Sequence, residues 1–218
     1  MSDSHAASAL AHQFEDLEQQ KEAAGLGMWV FLATEVMFFG GLFAGYTVYR
    51  NLYLPGFAAG SHDLNVTIGA INTAVLICSS LTMALAVRAA QLGKRNALVS
   101  FLILTMALGL AFVLIKFTLE WRHDYLEGFA PGLNFTFAGL NAKSVELFFC
   151  FYFIMTGVHA LHMVVGVGVL SVLLVRAWKG HYGPDRFNAV ETAGLYWHFV
   201  DIVWIFLFPL LYLIGGRY

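Results

Sequence analysis

Five apolar stretches, about 26-50, 66-91, 96-119, 144-177 and 191-214, dominate this chain of 218 residues. Crossing a hydrocarbon core of roughly 30 Å takes about 20 apolar residues as helix, so each stretch is long enough to span. Lipid offers backbone groups no water, which leaves helices and closed barrels as the only spanning structures. Barrel strands alternate apolar and polar residues, and no such alternation is present. The expected fold is therefore all-α: a polytopic membrane protein built as a bundle of five transmembrane helices. Composition agrees. The chain is 59% hydrophobic with a mean hydropathy of +0.71. It is only 12% charged, where a soluble domain carries about 25%.

Cations near the span ends set the orientation. Lys21, Arg88, Lys94, Arg95, Arg176, Lys179 and Arg186 fall on one side, and Arg50, Arg122, Lys143 and Arg217 on the other. This bias predicts the N-terminus inside, the C-terminus outside and the long 120-143 connection outside. Residues 1-25 form an acidic, alanine-rich extension without the basic start and apolar stretch of a cleavable signal. Leu10, Phe14 and Leu17 recur there at helical spacing, which suits either a short surface helix or a solvated tail. The simplest division is a cytoplasmic or interfacial extension, 1-25, and one membrane domain, 26-214. The net charge of -2 gives no footing for a nucleic-acid partner. Cys78 and Cys150 each sit alone inside a span and read as packing residues, with neither a disulfide framework nor a zinc motif.

Ionisable groups at membrane depth are costly and usually face protein or a water path. Glu35 lies in GMWVFLATEVMFFGGLFAGY, near the middle of its span. Desolvation there favours the neutral acid. It serves either as a structural hydrogen-bond donor or as a residue affecting proton delivery. Asn72, Thr73, Ser79, Ser80 and Thr82 suit hydrogen bonds between helices, and Gly157, Gly166 and Gly168 permit close approach. Lys116 is expected to snorkel to the outer surface and pair there with Glu120, four residues on. Glu146, at the outer end of the fourth span, reads as interfacial. His159 and His162 share a face at i, i+3. They read as hydrogen-bonded structural histidines, although His198 is available should they ligate haem or metal. His198 and Asp201, three apart in an otherwise apolar stretch, also share a face. Trp29, Tyr46, Tyr49, Tyr53, Trp121, Trp178, Tyr196, Tyr212 and Tyr218 fit interfacial belts. Arg176, Lys179 and His181 form a basic cluster that suits anionic lipid head groups, and plain inside-positive topology accounts for its two cations equally well.

These segments together resemble subunit III of haem-copper oxidases. WVFLATEVMFFGGLF is similar to the first helix shared across that family, and INTAVLICSS to the next. GVHALHMVVGVGVL resembles its GxHxxHVxxG segment, with Met163 in one aliphatic slot, and ETAGLYWHFVDIVWIFLF resembles its C-terminal signature. The four motifs occur in the family's order, across about 26-214. Many members have seven spans. A five-span chain resembles bacterial cytochrome c and quinol oxidase subunits, and accessory proteins of nitric-oxide reductases. Any lipid-filled cleft of the longer form must then be completed by another subunit.

The resemblance implies a non-catalytic subunit with no cofactor or metal of its own, the haems and copper residing in partner subunits. It implies oxidase subunit I as main contact, with subunit II and a small subunit IV as further partners, and bound phospholipid. It implies a bacterial inner membrane location and a role in assembly, stability and proton uptake of the complex that reduces oxygen to water. Cytochrome c is the expected donor, since Glu35 is the residue typical of cytochrome c oxidase relatives; quinol is the alternative. Glu35 matches the family's buried acid, His159, His162, His198 and Asp201 its buried polar set, and Arg176, Lys179 and His181 its lipid contacts. Two rival classes remain. A self-contained b-type cytochrome would use His159 or His162 with His198 as axial ligands. A proton-coupled transporter would use Glu35 and Asp201, but internal repeats and broken helices are missing.

Overall fold

The computed structural model describes residues 16–137, 141–184 and 186–213, without the side chains of Leu17 and Lys21. Leu10, Phe14, Arg217 and Tyr218 lie outside the described residues. Helices α1 (Leu17–Leu52), α2 (Leu54–Asp63), α3 (Val66–Gln91) and α4 (Arg95–Ile115) come first. A π-helical turn, Lys116–Trp121, leads into the short α5 (Arg122–Leu126). Helices α6 (Ala142–Trp178) and α7 (Asn188–Phe208) follow, and α7 runs into a second π-helical turn, Pro209–Leu213. Among the described residues there are no strands, and five helical segments are long and apolar enough to cross a membrane. The all-α fold and the five spans are as the sequence predicts.

The chain divides after Phe38 into two units. The described part of the N-terminal unit lies in α1, opened by an Asp16 carboxylate that accepts from the Gln19 amide at 2.7 Å. The helix begins at Leu17 and is already under way ahead of residue 26. Its large apolar side chains, such as Leu26, Trp29 and Met37, are exposed, as suits a lipid-facing surface.

In the larger unit, from Phe39 onward, the core is aromatic. Phe112, Phe148, Phe149, Tyr152, Trp197 and Trp204 are all buried. Helix α3 is held to its neighbours by the small polar residues its sequence offers. Asn72 donates to the Phe112 carbonyl at 3.3 Å. Ser79 donates to the Thr105 carbonyl at 3.3 Å and accepts from Trp197 Nε1 at 3.0 Å. Thr82 and Thr105 hydroxyls meet at 2.8 Å, and Trp204 Nε1 donates to Thr73 at 2.9 Å. Without water, each of these groups needs a protein partner, and the neighbouring helices supply it.

Trp197 also explains a glycine pair. A Cβ on Gly109 would come within 2.7 Å of its ring, and one on Gly166 within 3.0 Å. The indole is sandwiched between α4 and α6 only because both lack side chains. Gly157 faces Trp121, whereas Gly168 faces nothing within 4 Å among the described residues. Of the three glycines expected to permit close approach, Gly168 does so for no described residue of this chain.

The turns follow the expected alternation. Arg95, just after the α3–α4 turn, donates to the Trp178 carbonyl at the end of α6, so the 88-96 and 176-190 connections share one end. At the other end lies α2, absent from the sequence reading. Its Phe57 packs edge-on to Phe148, and its Ser61 donates to the Leu211 carbonyl at 2.7 Å. The aromatic belts are only partly formed. Trp178 and Tyr53 are exposed, but Tyr46 and Tyr212 are core residues that spend their hydroxyls internally. Cys78 is exposed, which removes it from the packing residues.

Candidate functional site

Helices α3 and α7 bring the second and fifth spans' polar groups together. Ser80 Oγ and His198 Nδ1 are 2.7 Å apart. Beside them Asp201 is 3% exposed, and neither carboxylate oxygen has a hydrogen-bond partner among the described residues. A cavity of about 290 Å³ opens between Thr73, Ser80, His198 and Asp201, rimmed by the exposed side chains of Ile77, Ile202 and Ile205. The three residue types are those of a hydrolytic triad. Their wiring is not, because such a triad requires the carboxylate to hold the imidazole, and His198 is held by Ser80 rather than by Asp201. An unpaired polar notch set in an apolar flank is instead the shape of an unfinished contact.

The other predicted histidines part company. His159 is fully buried between the rings of Phe112 and Trp204, and both its ring nitrogens lack partners among the described residues. This corrects the expectation of a hydrogen-bonded histidine: its neighbours are ring carbons. His162 sits instead against Phe39, with Nδ1 2.8 Å from the Val158 carbonyl oxygen one turn back. The sequence spacing puts them on one face, but the packing gives each a separate pocket. Among the described residues no three His, Cys, Asp or Glu side chains converge as a metal-binding group.

Glu35 is half-buried on α1 in the N-terminal unit. Arg176, Lys179 and His181 are exposed at the end of α6. Lys179 and His181 line a shallow cavity of about 360 Å³ with Tyr182 and Arg186. Outside the spans, burial raises the Tyr182 phenol above its ordinary range, and the Arg176 guanidinium opposes that rise. Glu146 is half-buried and accepts from the Gly132 amide at 3.3 Å, in keeping with an end-of-span position.

The largest departure is Lys116. The expected pair forms, with Lys116 Nζ donating to Glu120 Oε2 at 2.6 Å. It forms inside the protein: Lys116 is 0% and Glu120 5% exposed. Lys116 Nζ also donates to the Tyr152 and Tyr212 hydroxyls at 3.0 and 2.5 Å, and both phenols donate to Glu120 Oε2. The ammonium stands 4.5 Å from the Tyr152 ring centre and 5.3 Å from that of Trp204. The π-helical turn is the local cause. A widened turn changes which side chains face inward, and both charged residues of this one belong to it. The signal that could have found the site is an i, i+4 charge pair within an apolar run; its tyrosine partners lie 36 and 96 residues away.

Comparison with known proteins points the same way as the motifs. A family model described as cytochrome c oxidase subunit III matches residues 11–216. Quinol oxidase subunit 3 of Bacillus subtilis is 31% identical over 202 residues, covering 91% of this chain and 92% of its own. Cytochrome c oxidase subunit 3 of Corynebacterium diphtheriae is 35% identical over 191 residues, 87% of each chain. A haem-copper oxidase subunit I+III of Aeropyrum pernix is 32% identical over 204 residues, 89% of this chain and 23% of that longer one.

Proposed function

The chain belongs to the cytochrome c oxidase subunit III family, and from that premise we propose that it is the non-catalytic subunit of a respiratory oxidase fed by cytochrome c. As a subunit III of a haem-copper oxidase it is an integral membrane protein that associates with other oxidase subunits. The finer reading is a bacterial inner-membrane complex that reduces oxygen to water, with its haems and copper held by partner subunits. This chain contributes assembly, stability and support of proton uptake, the last through Glu35. Its N-terminus lies inside and its C-terminus outside. Arg176, Lys179 and His181 hold anionic lipid head groups at the inner surface.

The observation that carries the reading is the Asp201 notch. A carboxylate at lipid depth with two unpaired oxygens is expensive. Its exposed isoleucine rim supplies the apolar surround of a helix contact. A partner helix that donates to Asp201 would remove the cost. Subunit I is the favoured partner, because a relative's name joins I and III in one chain. Subunit II and a small subunit IV complete the proposed assembly. The donor rests on the Glu35 position and on the Corynebacterium relative, whose name specifies cytochrome c. The Bacillus relative favours quinol as the second reading.

The test is purification of a tagged chain from its native membrane in mild detergent. Copurification with a larger haem- and copper-bearing polypeptide is expected, together with oxygen uptake driven by reduced cytochrome c. Uptake driven by quinol alone would change the donor. Recovery as a stable lone chain would overturn the assignment as a subunit.

A further inference from the structure

The Lys116 cluster borders a cavity through Glu120 and Tyr152. At the end of the bundle carrying the α2–α3 turn lies a cavity of about 330 Å³, lined by Asp63, Thr67, Glu120, His123, Asp124 and Tyr152. Glu120 and Asp124 are each 5% exposed, yet Glu120 Oε1 and Asp124 Oδ2 have no hydrogen-bond partner among the described residues. A buried carboxylate oxygen with no donor costs free energy until something fills the gap. The cavity beside these oxygens is where that something must sit.

Charge narrows the choice. Lys116 is the cation facing two buried carboxylates, Glu120 and Asp124, which leaves one negative charge uncompensated. The other titratable groups facing the cavity are Asp63 from α2, preceded by His62, His123 from α5 and the Tyr152 phenol from α6. His123 is exposed, with Nδ1 4.0 Å from Asp124 Oδ1 and Nε2 3.9 Å from Glu127 Oε1, so it offsets the Asp124 charge only when it is itself protonated. Burial raises the Asp63 carboxyl above its ordinary range, with His62 opposing the rise. Among the described residues the carboxylates do not form a three-ligand metal group. A polar cavity of this size has room for several waters, each needing polar partners that the orphan oxygens provide. What fits is water together with one proton.

We propose that this cavity is a buried proton-exchange site, entered by water past the α2–α3 turn and held by Asp124 and Glu120. A hydronium ion gives its proton to Asp124 Oδ2 or Glu120 Oε1 and leaves as water, and the carboxylate becomes a carboxylic acid with a hydroxyl to donate. The gain of one positive charge balances the single uncompensated negative charge. The Tyr152 and Tyr212 hydroxyls, both bound to Glu120 Oε2 and to Lys116 Nζ, make the acid and carboxylate forms one connected network. The inference stands on this chain's own residues and holds whichever donor serves the complex.

The test uses the intact complex, adsorbed as a membrane film and followed by infrared difference spectroscopy as pH is changed. The readout is the carbonyl stretch of a protonated carboxylic acid. A titrating band should appear in wild type and be lost or displaced in Asp124→Asn and in Glu120→Gln. Thr67→Trp alters only an exposed residue at the cavity wall. It should leave the band in place and slow its hydrogen–deuterium exchange several-fold. Identical difference spectra in wild type and both carboxamide variants would overturn the proposal. Should those variants fail to assemble, unchanged exchange in Thr67→Trp would overturn it by removing the water route. A band whose midpoint follows added sodium or calcium, at constant ionic strength, would overturn it in favour of a cation site.

Discussion

Lys116 is a surface residue by sequence logic and a core residue in fact. An isolated lysine near a span end lowers its cost by snorkelling, so the pattern alone points outward. It is drawn inward by four separate partners: a carboxylate, two phenols and the face of Trp204. Breaking one member of such a pair is worse than removing both, because it leaves a buried charge alone. Lys116→Met should therefore destabilise the chain by about 3–5 kcal/mol. Adding Glu120→Gln to it should recover part of that loss. Subunit retention after graded heating of the complex checks both; equal loss in single and double variants would mean that the lysine acts by packing alone. Asp201 is the opposite case, a carboxylate without a hydrogen-bond partner among the described residues. Asp201→Leu should lower subunit occupancy in the purified complex more than Asp201→Asn, which keeps hydrogen-bonding capacity. Equal occupancy would mean that no partner donates to this position. His198 and Asp201 were legible because ionisable groups stand out in an apolar run. His159 was legible as buried but not as unbonded, since no local pattern reveals that Phe112 and Trp204 surround it.

Between helices, specificity comes from small groups on one side and large rings on the other. Helix α3 offers hydroxyls and an amide, and the indole nitrogens of α7 take two of the hydroxyls as acceptors. That much can be read from the sequence of α3, because polar groups in lipid must find protein partners. The glycines cannot be ranked that way. Gly166 and Gly168 are two apart and look equivalent, yet one supports the Trp197 ring and the other faces no described residue within 4 Å. Gly109, across the same ring, carries no motif at all. A methyl group at Gly109 must push the indole or separate the helices, a cost of about 1–3 kcal/mol for overpacking. Gly109→Ala should thus loosen the α4–α7 contact, seen as faster proteolysis or earlier thermal loss of the subunit. Gly168→Ala is the control, and should be neutral or slightly stabilising, since alanine favours helix by roughly 1 kcal/mol over glycine. Similar losses in both would show that backbone flexibility, rather than the fit around Trp197, is what these positions supply. Neither π-helical turn was legible. Each is a register change inside a continuous apolar run, and periodicity over so short a segment does not separate it from α-helix.

Across the whole chain, span number and alternation were the most legible features, because hydrophobic length is nearly sufficient to define a membrane helix. The shared end of the 88-96 and 176-190 connections fits the Lys/Arg bias used to set orientation. A reporter fused after Tyr218 should accordingly be active only if it works in the periplasm; activity of a cytoplasm-dependent reporter would reverse the orientation. The remaining question at this scale is what Glu35 does for the complex. It lies on α1 amid exposed apolar side chains such as Val36 and Met37, so a hydrophobic carbodiimide has a lipid route to it that surface carboxylates do not offer. In the proposed function it supports proton uptake by a catalytic centre in another subunit. Glu35→Gln keeps size and hydrogen bonding but removes the exchangeable charge. In sealed vesicles it should lower proton ejection per oxygen consumed, or shorten the operating lifetime, while oxygen turnover persists. Complete loss of turnover in a fully assembled, haem-replete variant would make Glu35 catalytic and the accessory role wrong. Unchanged turnover, pumping and lifetime would leave it a structural hydrogen bond, and proton uptake would then have to be explained without this chain.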